Sequence, residues 1–189
     1  MVGTAAGCGR PLFMAIPEKL LSLRQRKTMA QKIKIYLDTS VISCLQAPET
    51  PERMADTLLL WKDIQVGIYD VVISDVTINE INDCPEPKRS LMLNELKLIP
   101  LTIIEAGKKV EELSWEFIRL GILKERNLDD CMHIATALLA KCDIIVSWNF
   151  KHIVNDKTIE GVKIISKTKG FGGIKIYCPS ILTGGNDEN

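Results

Sequence analysis

The sequence predicts an α/β fold: a mostly parallel central sheet with helices on both faces, a three-layer α/β/α sandwich. Three observations lead there. Short runs rich in β-branched and apolar residues alternate with longer segments of helical spacing, and strands separated by helices need crossovers and so run parallel. The chain has 189 residues, enough for one domain with tails and a sizeable core. Its hydrophobic fraction of 46% and mean hydropathy of +0.09 mark it as globular rather than disordered.

The elements follow in order. Lys32 to Leu37 reads as the first strand and ends on Asp38. Pro51 stands at a favoured helix start, with Met54, Leu58, Leu59, Trp61 and Ile64 behind it at helical spacing. Val71 to Ile73 is the second strand, and Ser74 can cap a helix carrying Val76, Ile78, Glu80 and Ile81. Pro85 and Pro87 break the chain before a helix over Leu91 to Leu96. The third strand covers Leu98 to Ile103, and a helix follows from Glu105 to Leu120. Asn127 or Asp129 starts the next helix, which runs to Lys141. Asp143 to Ser147 is the fourth strand and Ile174 to Cys178 the fifth. Between them, Asn155 to Lys169 reads as a helix stopped by Gly170. This divides the chain into a basic extension over 1–31 with one short helix at Glu18 to Arg26, a folded domain over 32–182, and a tail over 183–189.

Composition excludes several classes. No apolar run approaches the ~20 residues that span a bilayer. The patch from Leu12 to Ile16 is closed off by Arg10, Pro11 and Pro17, too short for a secretory leader, so a cytoplasmic protein with no membrane partner is expected. Cys8, Cys44, Cys84, Cys131, Cys142 and Cys178 form no Cys-x-x-Cys pair, and His133 and His152 complete no zinc spacing. The cysteines read as reduced and structural. Net charge is zero but uneven: residues 1–34 carry seven basic side chains against Glu18 alone, leaving 17 basic and 23 acidic side chains in the rest. Such an arm either touches nucleic acid or is a solvated tail, and the second reading is the commoner one.

The acids can be sorted by place. Ligands of an open parallel sheet bind outside the carboxyl ends of its strands. Asp38 follows the first strand directly, Glu80 lies within two turns of the second, and Asp130 opens the helix leading into the fourth. Asn149 stands two residues beyond that strand. Clustered carboxylates repel one another unless cations neutralise them, and oxygen ligands of this kind suit Mg²⁺ or Mn²⁺. Each residue also has a structural reading. Asp38 can form a turn, Glu80 can be solvated, and Asn149 can form a turn after the strand. Of Asp129 and Asp130, the first reads as the helix cap. Asp130 reads as the ligand because Ile134 and Ala137 mark its face as inward. His133 lies one turn further on and invites a general-base role, but a buried or Asp-paired histidine accounts for it equally. Trp148 can stack on a base or pack in the core; Lys151 and His152 can meet phosphate or stay exposed.

These segments, in this order, resemble the PIN domain family. The resemblance rests on Asp38-Thr39-Ser40 after an apolar strand, Glu80 in Ile78-Asn79-Glu80-Ile81, and Asp130-Cys131-Met132-His133-Ile134-Ala135. It continues in Val146-Ser147-Trp148-Asn149-Phe150 and the terminal strand Ile174-Lys175-Ile176-Tyr177-Cys178-Pro179, covering about Lys32 to Leu182. It implies a Mg²⁺- or Mn²⁺-dependent endoribonuclease, of the kind found as VapC-type toxins and as RNA-processing enzymes. RNA would be the substrate, and a small antitoxin and a second copy of the chain the possible protein partners. Carried over, Asp38, Glu80 and Asp130 are the catalytic metal ligands and Asn149 takes the fourth metal position. Ser147, Thr39 and Ser40 support them. The chain departs from the family at Asn149, where Asp is frequent, so that position contributes an amide oxygen without charge. That departure keeps open a second reading, a PIN-like module that binds RNA or protein without cutting. A phosphatase with Asp38 as nucleophile is the weakest reading, because Asp38-Thr39-Ser40 lacks the usual Asp-x-Asp.

Overall fold

In the computed structural model of the chain, residues 32–184 are described. The helix expected at Glu18 to Arg26, the rest of the basic extension and the tail from 185 onward lie outside them.

Five strands form one sheet in the order β3-β2-β1-β4-β5, every neighbouring pair parallel. They are β1 (Ile33–Leu37), β2 (Tyr69–Ser74), β3 (Leu101–Ile104), β4 (Ile144–Val146) and β5 (Lys175–Tyr177). The helices are α1 (Thr39–Cys44), α2 (Pro51–Gln65), α3 (Asp75–Asn82) and α4 (Lys88–Leu96). After β3 come α5 (Lys108–Arg119), α6 (Leu128–Leu139), α7 (Asp156–Lys169) and α8 (Pro179–Thr183). The α/β sandwich expected from the sequence is therefore what forms.

Its three layers follow from the period of two in the strands. Ile35, Leu37, Val71, Ile73, Ile144 and Val146 face one layer, packed with Val41 and Ile42 of α1, Leu60 and Ile64 of α2, and Met92 of α4. Tyr36, Val72, Ile145 and Ile176 face the other, packed with Phe117 of α5, Ile134 and Leu138 of α6, and Val162 and Ile165 of α7. Strands covered on both faces need apolar residues at successive positions, which explains the unbroken runs in β1, β2 and β4. The five described cysteines are all free. Burial pushes the thiols of Cys131 and Cys142 up to about 12, so they behave as small core hydrophobes.

Several boundaries differ from expectation for local reasons. β3 begins at Leu101 rather than Leu98, because Pro100 has no N–H and residues 97–99 still turn back onto α4. α4 starts a turn earlier than its apolar residues announce, at Lys88. α5 begins at Lys108, since the Asp75 carboxylate accepts the Ala106 N–H at 3.0 Å and holds that segment outside the helix. α1 and α8 are short and were not foreseen; α8 takes up Thr183, the first residue of the expected tail. Asp129 does not cap α6. The cap position is Asn127, with no side-chain bond, and Asp129 is exposed in the first turn. Ser74 and Gly170 act as expected: Ser74 Oγ accepts the Thr77 N–H at 3.4 Å, and Gly170 ends α7 at φ 71°.

Sequence order reverses across β1. The chain moves outward to β2 and β3, then returns to place β4 on the other side of β1. The crevice at this switch point, beyond the ends of β1 and β4, is where such sheets take ligands.

Candidate metal centre

Asp38 is pinned to the switch point by its backbone, whose N–H donates to Val146 O at 3.1 Å and extends the β1–β4 ladder by one residue. The residue as a whole is 5% exposed. Oδ2 accepts Ser147 Oγ at 2.7 Å and also the hydroxyl of Ser40. Both hydroxyls are oriented from behind: Ser40 Oγ accepts the Trp148 N–H and Ser147 Oγ the Asn149 N–H, each at 2.9 Å. Oδ1 accepts no hydrogen bond among the described residues.

Glu80 reaches the same place from the second turn of α3, and Thr39 donates to its Oε2. His133 arrives from α6, one turn after Asp130 and on the same face. Its Nε2 stands 3.1 Å from Glu80 Oε2 and 3.6 Å from Asp38 Oδ1. Its Nδ1 is 2.7 Å from the Tyr36 hydroxyl, which is itself 2.7 Å from Ser74 Oγ. The three donor atoms of Asp38, Glu80 and His133 lie within 4.8 Å of one another.

Asp130 is half-buried in the first turn of α6, where the helix dipole favours an acid. Its Oδ1 accepts Asn149 Nδ2 at 2.7 Å. The other end of that amide is fixed, because Asn149 Oδ1 accepts the His152 N–H at 3.0 Å and a backbone N–H can only donate. Asn149 thus turns its NH₂ to Asp130 and its oxygen to its own loop, rather than presenting that oxygen to Asp38 and Glu80.

The carboxylates sense one another. Burial raises the Asp130 pKa first; the charge of His152 opposes this, that of Asp38 adds to it, His133 opposes and Glu80 adds. Burial also acts to raise that of Glu80, but the hydrogen bond and charge of His133, with Thr39, bring it below the usual range. For His133, burial lowers the value, yet Tyr36, Glu80 and Asp38 together hold it well above the ordinary imidazole.

Three of the four expected oxygen residues are therefore brought to one crevice, with Asn149 beside Asp130 but differently employed. Thr39, Ser40 and Ser147 all bond the carboxylates. Trp148 belongs to the core: it is 8% exposed and its Nε1 donates to Thr57 Oγ1 at 2.8 Å. Sequence reasoning left His133 undecided and missed Tyr36 and Ser74 as its support. The available signal was the three-residue step from Asp130, and a tyrosine inside an otherwise aliphatic strand.

Fold and site together define an α/β domain with hard oxygen donors gathered at its switch point, the class of site that suits a divalent cation. The chain belongs to the PIN domain family, whose model matches residues 35–153. No curated protein matches it. Two solved structures similar to it are VapBC2 from Rickettsia felis bound to a DNA fragment from their promoter and DNA-bound VapBC from Salmonella typhimurium. The first is 16% identical over 77% of this chain and 98% of that chain, with a TM-score of 0.44. The second is 18% identical over 78% of this chain and 98% of that chain, with a TM-score of 0.45. Among the described residues, no helix is long and apolar enough to cross a membrane.

Proposed function

We propose that this protein is a Mg²⁺- or Mn²⁺-dependent endoribonuclease in which Asp38, Glu80 and Asp130 hold the ion and RNA is the substrate. The observation that carries the reading is the gathering of these acids at the sheet's switch point, with Asp38 Oδ1 and the outer oxygens left for a cation. An ion held there polarises a phosphoryl oxygen and lowers the pKa of a bound water. The chain's own residues do the rest. Ser40, Ser147 and Thr39 fix the carboxylate planes, and Asn149 aims Asp130. A cleft of about 270 Å³ next to Asn127 and His152 is lined by Lys124, Arg126, Lys151 and Lys157 with no acid, which suits a polyanion. Action in the cytoplasm as a toxin with a small antitoxin, and pairing with a second copy, belong to the same proposal and rest on the family.

The test is cleavage of a mixed pool of single-stranded and structured RNA with Mn²⁺, Mg²⁺ or EDTA, the unchanged protein beside Asp38→Asn. Metal-dependent cutting that the variant loses, with its fold intact by circular dichroism, is expected. Equal cutting by both removes Asp38 from the chemistry. Asn149 favours one other reading, since its oxygen is turned away and brings no charge: a PIN domain that binds RNA without cutting. Folded protein that retains RNA yet cuts under no metal selects that reading.

A further inference from the structure

We propose that His133 is itself a ligand, its Nε2 joining the carboxylates of the site beside Asp38 Oδ1 and Glu80 Oε2, so that the centre is a mixed nitrogen–oxygen one that prefers Mn²⁺ over Mg²⁺. The inference rests on the metal-binding reading above and adds a donor that the acidic motif does not contain.

The first argument is about protons. A hydrogen on Nε2 accounts for the 3.1 Å contact with Glu80 Oε2, but it can serve one acceptor. Asp38 Oδ1 converges on the same nitrogen at 3.6 Å, beyond hydrogen-bond range, and no donor among the described residues reaches it. A buried carboxylate, its side chain only 7% exposed, whose second oxygen faces an imidazole and another carboxylate calls for a cation in the space between them.

The second argument is about spacing. Ligands at about 2.1 Å from an octahedral ion stand about 3.0 Å apart at adjacent positions, and about 3.4 Å apart around a tetrahedral one. The observed 3.1 and 3.6 Å are separations of this kind.

The third concerns the far side of the ring. Metal-binding imidazoles give their other N–H to a fixed acceptor, which sets the tautomer and the ring plane. Here Nδ1 is 2.7 Å from the Tyr36 hydroxyl, whose oxygen can accept its N–H, and that hydroxyl is in turn 2.7 Å from Ser74 Oγ. All three groups are at most 1% exposed, so the ring cannot turn away from the carboxylates without breaking a buried chain. Imidazole nitrogen favours first-row transition ions, whereas Mg²⁺ is held by oxygen, so this donor moves the preference toward Mn²⁺.

The experiment uses the full chain with Mn²⁺ as probe, read by titration and by electron spin-echo spectroscopy of the bound ion. Because the chain has two histidines, the His152→Gln protein with ¹⁵N-labelled histidine leaves His133 as the sole labelled side chain. Mn²⁺ that binds and shows a ¹⁵N coupling in that protein is the expected result. His133→Leu then retains no coupling, and its Mn²⁺ affinity falls by at least the ~10-fold that loss of a mere supporting partner costs. Mn²⁺ that binds without histidine coupling overturns this inference and leaves the carboxylate site standing. No Mn²⁺ binding at all overturns the metal reading itself. Should His133→Leu fail to fold, the labelled His152→Gln spectrum decides the question alone.

Discussion

Tyr36→Phe removes one oxygen atom and puts the buried chain behind the site to a quantitative test. That hydroxyl lies 2.7 Å from both His133 Nδ1 and Ser74 Oγ. Without it, Nδ1 has no partner among the described residues, and a buried polar group left unpaired costs about 1–3 kcal/mol. Ser74 Oγ keeps only its longer contacts to Thr77 N at 3.4 Å and Thr77 Oγ1 at 3.5 Å, so it loses most of a bond of about 1 kcal/mol. The ring itself still fills its place in β1, so no packing loss is added. The expected destabilisation is about 2–4 kcal/mol, measured by urea unfolding in EDTA with an unchanged m-value. Combining Tyr36→Phe with Ser74→Ala should cost less than the sum of the two, since both remove one shared bond. A loss within the ~0.5 kcal/mol typical of indifferent surface changes would refute the reasoning. It would mean that the ring of His133 is not held from behind.

Two further outcomes concern charge. In the metal-free protein the lowered pKa of Glu80 contributes stability above its ordinary 4.5, lost as pH falls through the folded value. The raised pKa of His133 contributes fully below its ordinary 6.5, and that share fades above 6.5 and is gone beyond the folded value. Thermal melts in EDTA should therefore show the pair's full contribution between 4.5 and 6.5, and His133→Leu should flatten the alkaline decline. A variant with the same alkaline slope as the unchanged protein contradicts the assignment. Asn149→Asp replaces the 2.7 Å donor to Asp130 by a like charge, so metal-free stability should drop by about 1–3 kcal/mol while Mn²⁺ affinity rises. Denaturation with and without Mn²⁺ checks both signs, and unchanged metal-free stability counts against Asn149 as the group that steadies Asp130.

How much of this was legible in the sequence depends on whether the cause is local. Ser74 as a cap, Gly170 as a stop and the apolar runs of β1, β2 and β4 are local, and they stand where the sequence put them. Asp38 and Glu80 could be placed because the strand-end rule needs only the strands' positions. β3 was misplaced because Leu98 and Ile99 are apolar residues in the turn before Pro100, and composition does not distinguish a turn packed on a helix from a strand. α1 was missed because its six residues begin inside Asp38-Thr39-Ser40, read for its ligand and, structurally, as a turn, and α8 because it is only five residues long. The orientation of Asn149 was beyond reach, since it depends on where the His152 N–H points once the loop has closed. The role of His133 was equally hidden. Its two neighbours, Glu80 and Tyr36, come from elements that meet it only after β1 and β2 have paired.

The arrangement around Asp38 shows how such a cluster can fold before any ion arrives. Ser40 and Ser147 each accept a backbone N–H from the loop after β4, at 2.9 Å, which occupies a lone pair and steers each hydroxyl proton toward Asp38 Oδ2. The carboxylate therefore receives two oriented donors from the chain rather than from solvent, Ser40 from the start of α1 and Ser147 brought by β4 pairing with β1. His133 faces Asp38 Oδ1, the oxygen the serines leave free, and the Glu80 Oε2 that Thr39 also bonds, as a buried base whose raised pKa favours a proton among them. Charge repulsion is thus relieved on one side by hydroxyls and on the other by a proton that a divalent ion can displace. A site built this way is held in shape without its metal, at the cost of competition between proton and ion. Its metal affinity should therefore fall as pH falls, even where every carboxylate remains ionised.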